Sequence, residues 1–381
     1  MRILIAAHSF FPEATGVSHV ASKLAAGLVE RGHEITVVTG RASEGTCEEM
    51  AGIRIVRFNC AGNYVSGLFG DVNAYKRFIK EQPADLLVLH CAQTWTIDAL
   101  LDDFEHLGKR VVLVSHGLSC YRNPAYESYF SLLASKLKIS GHVTGLSERL
   151  EEVALCRDHG LQAPVIIPNG VDLAEWNVAP IGMRKQWGIG SRPWAVSISN
   201  HSTVKNHGAF WRVVKAVKNA LPELQGSIIG RPYRAERLRV GRLGVKGGCW
   251  YKCRLRRLFS NRVFLHKSAK REEVVSALQE ADLLLVTSFR EASPLVLLES
   301  MAAGVPWVSF RVGGVEDNVG GMVVDSETEM IDASIKLLND HSVALELGRC
   351  GRERVASKHD WEKIIDSHLA FYARCIADRR I

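Results

Sequence analysis

The sequence predicts an α/β protein of two Rossmann-like, doubly wound domains facing a cleft, and three observations lead there. Short runs rich in Val, Ile and Leu alternate with segments of helical period along the chain, a pattern that yields parallel sheets covered by helices. The alternation restarts after a break at residues 176–192 that contains Pro180, Gly182, Gly188 and Gly190, the composition of a linker. A length of 381 residues with 47% hydrophobic content supplies enough apolar surface for two cores.

The first series places strands at residues 3–7, 35–39, 86–90, 111–115 and 165–167. Between the first two, Val17, Val20, Ala21, Leu24 and Leu28 recur at helical spacing and Gly32 follows as a stop, completing one βαβ unit. The second series places strands at 194–199, 227–229, 263–265, 283–286 and 307–310, with helices near 210–220, 272–280 and 294–303. Trp361, Ile364, Ile365, Leu369, Tyr372 and Ile376 mark one apolar face of a final helix. The expected division is a domain over residues 1–178, a second over 179–358, and a helix over 359–381 packing back on the first. Open sheets of this kind bind ligands beyond the carboxyl ends of their strands, so chemistry is sought in those loops.

Composition removes several classes. Charged residues at 23% and a mean hydropathy of +0.01 argue against a disordered or fibrous chain. The apolar run at 3–7 is too short for a secretion signal, and no segment reaches the ~18 apolar residues of a membrane span. Nine cysteines without regular spacing fit a reducing compartment, so a cytoplasmic location is expected. Cys249 and Cys253, taken with His266, match no zinc spacing and lack a fourth ligand, and no metal site is expected there. Charge is uneven: residues 1–180 carry 16 basic and 20 acidic side chains, residues 181–381 carry 32 and 21. The densest basic stretch, Arg231 to Arg262, holds eleven cations against Glu236 alone, with Trp250, Tyr251, Leu255, Leu258 and Phe259 among them. It reads either as a solvated basic face or as a surface for anionic lipid at the inner face of a membrane. No nucleic-acid module is recognisable.

Residues 288–304, SFREASPLVLLESMAAG, read as a strand end, a polar turn and a helix. Ser293 suits the N-cap, Pro294 the first turn and Gly304 the stop. The amides of Leu295 and Val296, with the helix dipole, make that end an anion site for which phosphate is the natural occupant. Glu291 before the helix and Glu299 within it are placed to bracket a phosphate-linked ligand, their carboxylates accepting from sugar hydroxyls. Taken singly, the same two residues read as a solvated turn and a surface helix position. His116 follows the apolar run at 111–114 and so emerges at the carboxyl end of a strand.

The segment EASPLVLLESMAAGVP resembles the signature of GT-B-fold retaining glycosyltransferases of family 4 (glycosyl transferases group 1), a Glu, seven residues and a Glu. The resemblance extends to FFPEATGVSHVASKLAAGLVERGHEITVVT at 10–39, VSHG at 114–117, IIPNGVD at 166–172 and Trp361, in the family's order, and covers essentially the whole chain. It implies that the first domain serves the acceptor and the second the nucleotide sugar. Glu299 would hold the ribose hydroxyls, while Glu291 with Ser293, Pro294, Leu295 and Val296 would hold the donor hexose and phosphates. His116 would stand beside the transferring sugar, and Gly16 would let backbone approach the diphosphate or acceptor without a Cβ. Lys205 would offset the charge of the leaving diphosphate. One position departs from the pattern. The arginine expected five residues before Lys205 is Asn200 here, an uncharged donor in place of a bidentate cation, and Arg231 is the candidate substitute.

The implied activity is transfer of a hexose from a nucleotide-diphosphate sugar, with retention, to a glycan or lipid-linked acceptor in cell-surface polysaccharide or glycolipid synthesis. No cofactor is implied. No Asp-x-Asp occurs in the chain, so a metal is not expected either, with Lys205 and a helix end in its place. The competing readings are a sugar-nucleotide epimerase and a binder of the same fold without transferase activity.

Overall fold

Parallel strand pairing organises both halves of the chain. The structure, a computed structural model, describes residues 1–13, 15–41, 48–240, 243–260, 263–267 and 269–378, without the side chains of 234–240 and 243–247. The chain divides into one unit of Met1–Asn169 with Trp361–Ile381 and a second of Gly170–Asp360. Arg242 and Arg262, and the side chains of Arg234, Glu236, Arg237, Arg239 and Lys246, lie outside the described residues.

The first unit is built on β1 (Arg2–Ala7), β2 (Glu34–Gly40), β3 (Glu49–Met50), β4 (Ile53–Phe58), β7 (Leu86–His90), β8 (Val111–Val114), β9 (Val143–Gly145) and β10 (Val165–Ile166); β5 (Cys60–Asn63) and β6 (Gly67–Gly70) form a separate antiparallel hairpin. Its sheet runs β10-β9-β8-β7-β1-β2-β4-β3, parallel except at the short β3–β4 pair. Ile3 in β1 lies beside Ile35 in β2 and Leu86 in β7. These near-continuous apolar strands are buried on both faces, as a parallel sheet requires. Helix α1 (Gly16–Glu30) follows β1, with Thr15 as N-cap accepting from the Ser18 amide at 3.1 Å. It buries Val20, Ala21, Leu24 and Leu28.

The C-terminal helix, Trp361–Ala377, lies against α1. Its buried face is Trp361, Ile364, Ile365, His368, Phe371, Tyr372 and Cys375, so the expected stripe is corrected at Leu369 and Ile376, which are only half-buried at its edge. Contact is close because α1 has Gly27 there: a Cβ on it would stand 2.1 Å from Ile365 Cδ1. Arg31 closes the contact, donating to Glu362 and Asp366 at 2.8 Å each.

The second unit begins at Gly170, nearer the N-terminus than the 178/179 boundary expected. Val171 and Trp176, the latter on α2 (Leu173–Trp176), are buried with Met183, Ile189, Trp194 and Leu297 in that unit's core. Its strands β11 (Trp194–Ile198), β12 (Gln225–Ile229), β15 (Val263–His266), β16 (Leu283–Val286), β17 (Trp307–Phe310) and β18 (Gly321–Val324) form a parallel sheet in the order β15-β12-β11-β16-β17-β18. β13 (Tyr233–Val240) and β14 (Leu243–Gly247) pair as a separate antiparallel hairpin. The helices used below are α3 (His207–Ala220), α4 (Trp250–Leu258), α5 (Arg271–Glu280) and α6 (Leu295–Ala303). Pro294, not Ser293, takes the N-cap position of α6, in extended conformation. Proline's fixed φ suits that place and it brings no amide to satisfy. Gly304 ends α6 at φ +71°. The helix His341–Lys358 packs on α6 through Gly348, where a Cβ would meet the Gly304 carbonyl oxygen at 2.1 Å. Among the described residues no helix is long and apolar enough to cross a membrane.

Candidate functional site

In the second sheet the strand order reverses between β11 and β16, and the carboxyl ends at such a switch point are where doubly wound sheets bind ligands. The loop after β11 carries Lys205 at the end of a 3-10 turn, Thr203–Lys205, that Ser202 caps. Asn206 then turns the chain at φ +48° and caps α3. Residues beyond β16 fix this loop from the side: Thr287 Oγ1 donates to the carbonyls of Lys205 and Asn206 at 3.1 and 3.2 Å, and the Phe289 amide to that of Val204 at 2.8 Å. Lys205 Nζ thereby reaches Glu291 Oε1 at 2.6 Å, with both side chains largely shielded from solvent. The Glu291 turn is held from behind by Gly313, where a Cβ would collide with the Glu291 carbonyl oxygen at 2.0 Å, and by the Gly314 amide donating to Ala292 at 2.8 Å.

α6 starts at this turn. The Leu297 amide donates to the Pro294 carbonyl at 3.0 Å, and the half-buried Leu295 and Val296 occupy the positions whose amides a helix start leaves over for an anion. Further along α6, Glu299 Oε1 accepts from Arg271 Nη1 at 2.7 Å. Arg271, from α5, also grips Glu175 of α2 through Nε at 2.7 Å and Nη2 at 2.5 Å, and lies 5.5 Å over the Trp176 ring. Burial pushes the Glu299 carboxyl above its usual range, against the pull of Arg271. Burial also opposes charge on Arg271, yet the two carboxylates hold its guanidinium above the ordinary value. Sequence reasoning missed Arg271 and Glu175. They stand 96 positions apart, and only Glu175's place just beyond IIPNGVD hinted at either.

Asn200 and Arg231 are exposed at the ends of neighbouring strands β11 and β12. Gly230 allows the chains to close there, since a Cβ on it would lie 1.8 Å from the Ser199 carbonyl oxygen, and the His201 amide donates to the Arg231 carbonyl at 2.8 Å.

Gly16 and His116 belong to the first unit. Gly16 is the exposed first residue of α1, behind Thr15, whose Oγ1 lies 2.9 Å from Ser9 Oγ. His8 and His116 follow the carboxyl ends of β1 and β8, and His90 ends β7, around that sheet's own reversal between β1 and β7. His90 Nδ1 and His116 Nε2 approach to 2.9 Å with the rings stacked. Burial, and then the charge of His8, lowers His116 to about 4, so its ring is neutral at neutral pH and able to hydrogen-bond a hydroxyl.

Two doubly wound domains, with a helix start at a switch point and carboxylates paired to Lys205 and Arg271 beside it, have the elements of a site for a phosphate-linked ligand. A family model described as Glycosyl transferases group 1 matches residues 192–340, and one described as Glycosyltransferase Family 4 matches residues 14–175. The chain belongs to the group 1 glycosyltransferases and has their GT-B fold. It is 25% identical to N-acetyl-alpha-D-glucosaminyl L-malate synthase of Bacillus anthracis, over 97% of this chain and 96% of that one. Among solved structures, sucrose-phosphate synthase of Thermosynechococcus elongatus aligns with a TM-score of 0.79 at 18% identity, covering 99% of each chain. Anabaena Alr3699/HepE in complex with UDP aligns at 0.75, with 18% identity over 98% of this chain and 100% of that one.

Proposed function

We propose that this glycosyltransferase moves a hexose from a nucleotide-diphosphate donor, with retention of configuration, to a glycan or lipid-linked acceptor. The observation that carries the reading is the convergence of Lys205, Glu291, Glu299 and the α6 start at one switch point. Lys205 and the α6 amides stabilise the charge that builds on the departing diphosphate, in the place a metal would otherwise fill. Glu299 accepts from the ribose hydroxyls once Arg271 yields one oxygen, and Glu291 accepts from the hexose after Lys205 turns to phosphate. Arg231 supplies the second phosphate cation in place of Asn200. Neutral His116 accepts from or donates to a hydroxyl of the transferring sugar, and Gly16 admits the diphosphate or acceptor close to backbone. The acceptor attacks on the face that the diphosphate vacates, so configuration is kept without a protein nucleophile. No cofactor enters.

A lipid-linked or membrane-proximal acceptor is supported by α4, where Lys252, Arg254, Arg256 and Arg257 accompany exposed Tyr251, Leu255, Leu258 and Phe259. Such a surface suits an anionic bilayer. A small anionic acceptor is the second reading, favoured by the full-length relative whose name gives L-malate as its acceptor.

Calorimetric titration with UDP, GDP and ADP, beside a Glu299→Ala variant, tests the site. One nucleotide should bind tightly and weaken at least tenfold in the variant, the loss of a charged hydrogen-bonding group worth about 1.5–3 kcal/mol. The same affinity in both proteins removes Glu299 from the ribose. With the nucleotide fixed, the anomeric configuration of product on extracted lipid-linked glycan or on malate decides stereochemistry and acceptor together.

A further inference from the structure

His201, His207, Cys249 and Cys253 come together beneath the loop that carries Lys205, and all four are buried, with exposures of 0%, 1%, 9% and 1%. One nitrogen or sulfur from each lies within 4.8 Å of the other three. His201 Nδ1 and His207 Nδ1 are 3.2 Å apart, and Cys249 Sγ stands 3.6 Å from the first and 3.3 Å from the second. A tetrahedral zinc ion with bonds of about 2.0–2.1 Å to nitrogen and 2.3 Å to sulfur separates its ligand atoms by roughly 3.4 Å (N to N) and 3.6 Å (N to S). The three separations among His201, His207 and Cys249 are close to those of a zinc tetrahedron, and Cys253 Sγ lies within 4.8 Å of each of them.

Three of the cluster's polar atoms face one another at its centre. A neutral imidazole has one N–H, and His207 Nε2 already faces Ser199 Oγ at 2.9 Å. His201 Nε2 is buried without a hydrogen-bond partner among the described residues, and a metal on Nδ1 would fix it as the N–H of that ring. A cation at the centre uses both Nδ1 lone pairs at once, and the Ser199 contact then fixes the ring of His207 as an outer-shell partner does. The spacings, His-x5-His and Cys-x3-Cys, fall within the intervals that structural zinc sites use. His266 lies apart from this group, stacked on Trp187 with ring centroids 3.6 Å apart.

We infer that His201, His207, Cys249 and Cys253 form a structural zinc site. Binding converts two thiols to thiolates and releases their two protons, so Zn²⁺, two thiolates and two neutral imidazoles sum to no net charge in a buried place. With four protein ligands the ion has no open position and takes no part in the transfer. Its work is mechanical: it ties the segment after β11 to the start of α4. His201 and His207 bracket Lys205, so the ion also steadies the phosphate lysine, a consequence that rests on the donor role proposed above.

Metal analysis of the whole protein, purified without chelator and with any affinity tag removed, tests the site. About one zinc per chain is expected. Cobalt replacing it should give the intense visible bands of a tetrahedral ion with thiolate charge transfer. Cys249→Ser and Cys253→Ser should lose the metal, while Cys350→Ser, outside the cluster, keeps it. A native protein that carries no zinc and takes up no cobalt overturns the inference, whatever the variants do, and so does cobalt with an octahedral spectrum. Nucleotide affinity after zinc removal is a separate readout: zinc at one per chain with unchanged affinity keeps the site and refutes its tie to Lys205.

Discussion

Lys205 and Glu291 hold each other at 2.6 Å, so an arriving diphosphate competes with a carboxylate for the lysine. Removing only the lysine leaves Glu291 shielded and uncompensated, the costly half of such a pair. Lys205→Ala should therefore lower kcat by about 10²–10³-fold, the usual loss for one charge-stabilising donor, and also lower the melting temperature. Lys205→Ala with Glu291→Gln should regain stability but not rate; calorimetry beside steady-state kinetics reads both. At the neighbouring strand ends, Asn200→Arg should tighten nucleotide binding and Arg231→Ala should weaken it. Unchanged affinity in both would remove Arg231 from the phosphate. Glu291 and Glu299 could be singled out as candidates from local order, a strand end, a turn and a helix start, and Lys205 from the family resemblance. Arg271, Glu175 and the two histidines beside Cys249 could not, since each meets its partners only through sheet order, and no local pattern links Arg271 to Glu175.

Strands reveal themselves when both faces are buried, which is why the apolar runs of β1, β2, β7, β8, β11, β16 and β17 were readable and their ends nearly right. The short β3, the glycine-rich β5–β6 hairpin and the half-exposed β18 have no such signature. The stripe of the C-terminal helix was drawn without His368, Phe371 and Cys375, all of which the structure buries. Helix contacts that depend on a missing Cβ are sensitive to a single methyl group. Gly348→Ala should push its helix off α6 and destabilise the second unit by about 1–3 kcal/mol, read from urea denaturation, and it should weaken nucleotide binding as α6 shifts. Buried histidines of the first unit give a pH dependence. Burial, and then neighbouring charge, lowers His116 to about 4 and His368 to about 3, so the unfolded chain binds protons that the folded one refuses. The stability from keeping them neutral is whole above about pH 6.5 and is lost as pH falls toward those values. Glu152 opposes this: burial raises it to about 7, so its contribution is full below about pH 4.5 and fades as pH rises through 7. His368→Gln should flatten the fall in urea midpoint between pH 6.5 and 4, and Glu152→Gln should steepen it.

Charge is divided over the whole molecule, with 16 basic and 20 acidic residues in 1–180 against 32 and 21 in 181–381. The excess does not simply cover the second unit. On α4, Lys252, Arg254, Arg256 and Arg257 share a short helix with Leu255, Leu258 and Phe259, which are 57%, 79% and 83% exposed. A solvated basic face gains nothing from large apolar residues held in water, whereas an interfacial helix uses them to enter the headgroup region while its cations meet anionic lipid. At about 1 kcal/mol for each basic residue near an anionic surface, these four cations supply roughly 4 kcal/mol, enough to recruit the protein at low salt. The attraction weakens as the screening length falls below about 10 Å above 0.1 M salt. The protein should therefore sediment with vesicles containing anionic lipid, stay in solution with neutral ones, and be released by salt. Leu258→Glu with Phe259→Glu should abolish sedimentation while leaving nucleotide affinity as it was, because neither residue is among those proposed to hold the donor. Sedimentation that survives both changes would move the contact off α4, and no sedimentation at low salt would leave the small anionic acceptor as the better reading of the transfer.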